Sequence, residues 1–165
     1  GGEEGLRGGV TQMAAVSESG QSLKDRLARA VDEDTEAFNR VMDATRLPKS
    51  TPEQQADRST AIQADSTHAA EVPLQTARLC LDAMALAEQA AVGGNRNSAS
   101  DAGVAALAAR AGVEGAVLNV LINLGSIADA GFRAACVAET DRLVAEARRR
   151  CDLVQASVIS SFGGK

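Results

Sequence analysis

An acidic side chain falls on the apolar face of the first predicted helix. At about 100° per residue, Asp34 lies about 20° from Leu23, whereas Asp32 lies at about 180°, facing solvent. The apolar stripe around Asp34 contains Leu23, Leu27, Val31, Phe38, Val41 and Met42. Burying an unpaired charge costs several kcal/mol, so a carboxylate placed there must be paired, hydrogen-bonded or protonated. Asp34 is predicted either to form a structural ion pair with an arginine of another helix or to transfer protons, because desolvation favours a protonated carboxyl group near neutral pH.

Two amides form a second polar intrusion, in the apolar segment GAVLNVLINLGS. Asn119 and Asn123 are four residues apart, so their side chains stack on one face of a helix. Such a pair can present several donors and acceptors to a planar heterocycle. It can equally bridge to a neighbouring helix, and the sequence leaves both interpretations open.

The remaining reactive residue types form no catalytic or metal-binding pattern. Asp101 follows Ser98 and Ser100 in a helix-start sequence, where capping or substrate contact is expected, and a serine nucleophile there has no base. His68 has no Cys or His at ligand spacing, so no metal is expected. The cysteines are odd in number and widely spaced, which predicts buried reduced thiols and a cytoplasmic protein: they are Cys80, Cys136 and Cys151.

Helical periodicity accounts for most of the chain, and no useful stretch alternates with period two. The sequence predicts an all-α fold, an antiparallel bundle of four to five helices without a sheet. The predicted helices run from about 22 to 45, from Thr51-Pro52 to Val92 with a kink or split at Pro73, from 99 to 124, and from 128 to 160. A Gly-rich arm (1–21), a helical domain (22–160) and a flexible tail (161–165) complete the predicted organisation.

Composition narrows the choice of partners and surroundings. The 165 residues carry a formal charge of −5, with the basic residues scattered, so nucleic acid is a poor partner. No apolar run approaches the roughly 18 residues of a membrane span. Within the third helix, Gly103, Gly112 and Gly115 predict close approach of another backbone, within the fold or across a dimer.

Three blocks of the sequence resemble one family. They are VDEDTEAFNRVMDATRLPKSTPEQQADR, AAEVPLQTARLCLD and GNRNSASDAGVAALAARAGVEGAVLNVLINL. Their order and separations are similar to those of the cyclodeaminase domain of formiminotransferase-cyclodeaminases and of the methenyl-tetrahydrofolate cyclohydrolases built on the same domain. The resemblance covers roughly residues 22–160.

This resemblance implies a dimeric all-α enzyme with folate bound near the subunit contact. The reaction would close 5-formimino-tetrahydrofolate to 5,10-methenyl-tetrahydrofolate with loss of ammonia, or open the methenyl ring with water. No cofactor beyond the folate substrate is implied. The family's acidic block corresponds to Asp32-Glu33-Asp34-Thr35-Glu36-Ala37-Phe38, and the helical wheel favours Asp34 as the proton shuttle. Arg46 and Lys49 become candidates for binding the anionic glutamate tail.

The chain departs from the family pattern in two places. A short Gly-rich stretch stands where the family has a Pro-Thr-Pro-Gly-Gly-Gly-Ser turn, a full Ala/Gly-rich helix and a basic segment. Gly125 follows INL where a lysine is common. These departures support an alternative, a non-catalytic helical assembly domain without the N-terminal half of the site.

Overall fold

The computed structural model describes residues 2–93 and 96–163, with side chains described for 13–92 and 98–163. Four helices account for nearly all of these residues: α1 (Gly2–Arg46), α2 (Pro52–Gly93), α3 (Arg96–Leu124) and α4 (Ala130–Gly163). The two described ranges contain no strand. The predicted all-α bundle without a sheet is therefore confirmed, with four helices.

Side chains fix the two well-described connections between helices. Before α2, the Gln54 N–H donates to Thr51 Oγ1 (3.2 Å) and the Thr51 N–H to Gln54 Oε1 (3.4 Å), a reciprocal capping box in which Thr51 is the N-cap. Arg58 donates from Nε and Nη2 to the Thr45 carbonyl, near the end of α1. Before α4, the Phe132 N–H donates to Asp129 Oδ1 at 2.9 Å.

Helix α2 is the centre of the bundle. It contacts α1, α3 and α4, and α3 also contacts α4, whereas within the described residues α1 packs against α2 alone. Helices α1 and α2 run antiparallel, because Arg40 of α1 pairs with Asp65 of α2 while Thr45 is bonded by Arg58, earlier in α2. Helices α2 and α4 run parallel, with the ion pairs Arg78–Glu139 and Glu88–Arg150. The main core fills the space among α2, α3 and α4, with Val113, Val120 and Leu143 at its centre.

Helix α1 begins much earlier than predicted. It starts at Gly2, so the expected start at Ser22 is wrong, and residues 2–21 are part of the helix instead of a separate Gly-rich arm. From residue 13 onward, positions 13, 16, 20, 23, 27 and 30 are all at least half-buried, at alternating three- and four-residue spacing. This stripe continues the apolar face of the bundle toward the N-terminus, and it outweighs the low helix propensity of glycine.

The other predicted boundaries shift by a few residues. Helix α4 continues to Gly163, because Val158 is buried and Ser161 donates to its carbonyl, so the predicted flexible tail is helical through 163. Residues 164–165 lie outside the described residues, as do 94–95 of the predicted turn. Helix α3 starts at Arg96, so Ser98 and Ser100 lie inside its first turns instead of capping it.

Two features of the helices bear on earlier expectations. Helix α2 continues on both sides of Pro73, so the proline does not split it. By length and composition, Ser98–Leu124 of α3 passes as a candidate membrane span, contrary to the expectation that no segment would. However, the core helix of a soluble protein passes the same test, and Arg110 and Glu114 within α3 pair with Asp152 and Arg148 of α4. A cytoplasmic location stays a prediction.

Candidate functional site

The buried face of helix α1, which packs on α2, consists mainly of small residues. Ala30, Ala37 and Ala44 are buried at seven-residue intervals, whereas Val31 and Phe38 are 66% and 62% exposed. At about 100° per residue from Leu23, the three alanines lie at about −20° to −60°, so the buried face is rotated by roughly 80–90° from the centre of the stripe of large apolar residues. The expectation that Asp34 is enclosed by apolar side chains is wrong, because this rotation leaves its side chain exposed at the edge of the α1–α2 contact.

At that edge, Asp34 opens into a groove between α1 and α3. Among the described residues the backbones of these two helices are not in contact, and α2 forms the floor between them. We call this the α1–α3 groove, a cavity of about 270 Å³ lined by Leu27, Ala30, Val31, Asp34, Thr35, Pro73, Thr76, Ala116 and Asn119. Asp32 does not line it. The distinction between the two aspartates agrees with the helical wheel.

The groove brings together one carboxylate and one amide whose polar atoms are available. Within 13–92 and 98–163, the Asp34 carboxylate forms no hydrogen bond or ion pair, so the alternative of a structural ion pair finds no arginine here. Asn119, on the opposite wall, is also exposed. Aliphatic side chains separate the two. In this arrangement the Asn119 amide can form hydrogen bonds with the polar edge of a flat ring, while the Asp34 carboxylate lies against the ring as a proton donor or acceptor.

Asn123 does not line the groove but joins its α3 wall to the α2 floor. Its Nδ2 donates to the Ala69 carbonyl of α2 at 2.8 Å. That carbonyl lies four residues before Pro73, which has no N–H to donate to it. A buried carbonyl left unpaired costs about 1–3 kcal/mol, and Ala69 is 6% exposed. Asn123 therefore acts as the predicted bridge to a neighbouring helix, and its predicted role as a substrate-binding amide has no support in this position.

Three further candidates lie away from Asp34. Arg46 is twelve residues further along α1, about 18 Å by helical rise, and pairs with Asp43 at 3.0 Å. Lys49 is exposed in the α1–α2 connection. Asp101 is exposed near the start of α3, about 27 Å along that helix from Asn119. None of the three lines the groove. Their substrate-binding roles stay predictions, and the structure does not bring them together with Asp34.

Two threonines that the sequence did not single out also line the groove. Thr35 Oγ1 donates to the Val31 carbonyl (3.1 Å) and Thr76 Oγ1 to the Val72 carbonyl (3.2 Å). Each hydroxyl thereby donates its proton to a carbonyl of its own helix, and its oxygen can still accept a hydrogen bond in the groove. Thr35 could have been identified as a groove residue because it directly follows Asp34. Thr76 could not, because its place in the groove depends on which face of α2 lies toward the groove.

Another groove is larger, but its charged groups satisfy one another. This α2–α4 groove, of about 520 Å³, is lined by Glu88, Arg150, Glu146 and Arg149 among others. Arg150 donates to both carboxylate oxygens of Glu88 (2.7 and 2.6 Å). Arg149 binds Glu146 in the same way and holds the pKa of that carboxyl below its usual value. Because these ions are already paired, we place the candidate site in the smaller α1–α3 groove.

Outside both grooves, helix packing is reinforced by ion pairs and buried thiols. On the α3–α4 surface, hydrogen bonds from Arg148 and Arg110 hold the pKa of the Glu114 carboxyl below its usual value. Burial raises the pKa of all three thiols, which are free and buried: Cys80, Cys136 and Cys151. The thiols are therefore protonated at neutral pH and have no part in the groove.

Comparison with known proteins gives consistent matches. Residues 2–142 match the formiminotransferase-cyclodeaminase family, so the match includes nearly all of residues 1–21, which were predicted to form a Gly-rich arm. A methenyltetrahydrofolate cyclohydrolase of Methylorubrum extorquens is 42% identical over 132 residues, which is 80% of this chain. A formimidoyltransferase-cyclodeaminase of Sus scrofa is 37% identical over 129 residues, or 78% of this chain.

A solved structure shares the fold. The formiminotetrahydrofolate cyclodeaminase of Thermotoga maritima superposes with a TM-score of 0.78 at 29% identity, over 91% of this chain and 71% of that one. The curated relatives are longer than the matched region. It spans 64% of the Methylorubrum protein and 24% of the Sus scrofa protein.

Proposed function

This chain belongs to the formiminotransferase-cyclodeaminase family, and from that premise we propose that it is a folate one-carbon enzyme acting by acid-base catalysis in the α1–α3 groove. The reaction we propose first closes 5-formimino-tetrahydrofolate to 5,10-methenyl-tetrahydrofolate with release of ammonia. The observation that carries the proposal is the Asp34 carboxylate, which has no partner among the described side chains and faces the groove across from the amide of Asn119.

The proton balance of this reaction suits one carboxylate. N10 attacks the carbon of the protonated formimino group, and Asp34 takes the proton that N10 loses. The carbon then carries N5, N10 and a neutral amino group. Asp34 returns its proton to that amino group, and the carbon–nitrogen bond breaks to release ammonia and leave the methenyl cation. The groove would also accelerate the reaction by holding N5, the carbon and N10 in the positions from which they react.

The dimensions of the groove suit part of the substrate. Its 270 Å³ is just below the roughly 300–1,000 Å³ of sites that enclose a whole drug-sized ligand. We therefore place only the ring system and the reacting carbon in it. The aliphatic walls, Leu27, Val31 and Ala116, would cover the ring faces, and the Asn119 amide would bond a ring edge.

A second candidate function rests on a specific observation. The match to a methenyltetrahydrofolate cyclohydrolase is 42% identical, against 37% for a formimidoyltransferase-cyclodeaminase. A cyclohydrolase uses the same methenyl carbon in the other direction: water adds to the carbon and the ring opens. Asp34 would then take a proton from the attacking water. Both candidates need the same carboxylate at the same place.

One matched pair of variants tests the site. Asp34→Asn and Asp32→Asn make the same chemical change two residues apart, but only Asp34 lines the groove. The ultraviolet absorbance of 5,10-methenyl-tetrahydrofolate reports both reactions, its gain from the formimino substrate and its loss by hydrolysis. We expect Asp34→Asn to lower turnover about 10²–10⁴-fold and Asp32→Asn to leave it nearly unchanged.

The controls separate the competing explanations. Circular dichroism and urea unfolding of each variant show whether lost activity reflects lost structure. A folded Asp34→Asn protein with normal turnover would remove Asp34 from the mechanism, and an inactive Asp32→Asn protein would show that the helical register is wrong. A folded wild-type protein without turnover of either folate would leave the alternative of a non-catalytic helical domain.

We propose that the functional protein is a homodimer or larger. Apolar side chains are exposed on both sides of the groove: Val31 and Phe38 on α1, Leu118 and Ile122 on α3, the latter two at 69% and 76%. Apolar surface of this kind marks a protein contact. Light scattering should report a dimer, and the double variant Leu118→Glu/Ile122→Glu should report a monomer, with Val137→Glu on α4 as the control. A wild-type monomer at micromolar concentration would contradict the proposal.

A further inference from the structure

We propose that Asn123 is a positioning residue: its side-chain amide takes the place of the backbone N–H that Pro73 lacks, and so fixes the α3 wall of the groove opposite Asp34. The part of this inference that concerns turnover rests on the proposed function. The pairing of Asn123 with Pro73 rests on the geometry alone.

The pairing follows from the positions of three residues. Pro73 lies inside α2, and the helical pattern would direct its N–H to the carbonyl of Ala69. Asn123 Nδ2 donates to that same carbonyl at 2.8 Å. One side chain of α3 thus replaces one backbone hydrogen bond of α2, at a buried position where water cannot do so.

This bond controls the groove because both of its ends adjoin groove residues. Pro73 lines the floor, and Asn119, which lies one turn before Asn123, lines the α3 wall with Ala116. A shift of α3 by one residue would move the Asn119 amide about 1.5 Å along the helix and about 100° around it. The Asn123 bond to Ala69 is incompatible with such a shift. It therefore sets the direction in which Asn119 faces and its separation from Asp34.

The pairing also explains why a helix interior tolerates this proline. The proline ring presents an apolar surface to the groove floor, and the carbonyl that it leaves without a partner is satisfied by Asn123. Each residue of the pair is costly without the other. The two should therefore behave as a unit when they are substituted.

A double-mutant cycle tests the unit. Asn123→Leu keeps the approximate size and removes the donor, and in the wild-type background it should lower the Tm by about 3–10 °C. In the Pro73→Ala background the residue at 73 has an N–H for the Ala69 carbonyl, so Asn123→Leu should cost less than half as much. If Asn123→Leu does not fold alone, its folding in the Pro73→Ala background is the expected result. If Asn123→Leu lowers the Tm by the same amount in both backgrounds, the pairing is overturned.

Turnover distinguishes positioning from stability. Measured well below each Tm, Asn123→Leu should lower kcat/KM by about 10-fold or more in the wild-type background, as expected for a displaced contact. It should have little further effect in the Pro73→Ala background. Normal kcat/KM for folded Asn123→Leu would overturn the positioning role even if the Tm values couple. A wild-type protein inactive on both folates would overturn the turnover part together with the proposed function, whereas the Tm cycle still decides the pairing.

Discussion

Substitution of two glycines in α3 gives a sharp test of helix packing. A Cβ added at Gly112 would lie 2.6 Å from Cys80 Sγ and 3.4 Å from Cys80 Cβ, whereas a Cβ at Gly115 would meet no atom within 4 Å. Carbon and sulfur atoms in ordinary contact are at least about 3.5 Å apart. Gly112→Ala must therefore displace the buried Cys80 side chain or separate α2 from α3. Gly115→Ala requires no adjustment.

The two variants share the same gain in helix propensity. Alanine is favoured over glycine in a helix interior by about 0.8–1.0 kcal/mol, so Gly115→Ala should raise the free energy of unfolding by about that amount. Overpacking a core typically costs about 1–3 kcal/mol. The propensity gain cancels when the two variants are compared. Gly112→Ala should therefore be about 1–3 kcal/mol less stable than Gly115→Ala, a difference of about 2–12 °C in Tm.

Urea unfolding followed by circular dichroism measures this difference. Cys80→Ala removes the sulfur atom, so Gly112→Ala should cost much less in that background. Equal stability of the two glycine variants would refute the close approach of α2 and α3. An equal cost of Gly112→Ala with and without the Cys80 sulfur would show that another contact is responsible.

Two further predictions follow from the titrating groups. A thiol reagent should modify three cysteines per chain in denaturant but react slowly with the native protein, because burial raises the pKa of all three thiols; an intramolecular disulfide would contradict this. The carboxyls of Glu114, Glu139 and Glu146 have lowered pKa values in the folded state, so the unfolded state binds more protons on acidification. The stability that they contribute is complete above their unfolded-state pKa values and is lost as the pH falls through the folded-state values. Tm should therefore drop below about pH 4.5, and less steeply in Glu114→Gln.

The sequence predicted the helices well because their signals are local. The capping pair Thr51 and Gln54 and the helical periodicity each act within a few residues, and three of the four helices both begin and end close to the predicted positions. The start of α1 was missed because its glycines suggested a break. The stripe that keeps it helical faces α2: a Cβ added at Gly20 would lie 4.0 Å from Leu86 Cδ1.

The candidate site was only partly predictable, for a physical reason. In the helical wheel, the large apolar residues define the predicted buried face, so Val31 and Phe38 were expected to be buried. Close packing of α1 on α2 selects alanines instead, which rotates the helix and exposes Asp34. The wheel still separated Asp34 from Asp32, because a rotation of this size does not exchange opposite faces. The partner of Asn123 depends on the distant Pro73, and no periodicity within α3 reveals it.

The attachment of α1 to α2 alone has a consequence for native-state motion. Helices α2, α3 and α4 contact one another, whereas among the described residues α1 contacts α2 alone; its fully buried apolar side chains are Leu23 and three alanines, and the rest of its apolar stripe is only partly buried. Detachment of α1 should therefore need less free energy than global unfolding, and its backbone amides should exchange with deuterium sooner than those of the other helices. Asp34 moves with α1. A ligand that touches both walls of the groove would join α1 to the other three helices and slow that exchange.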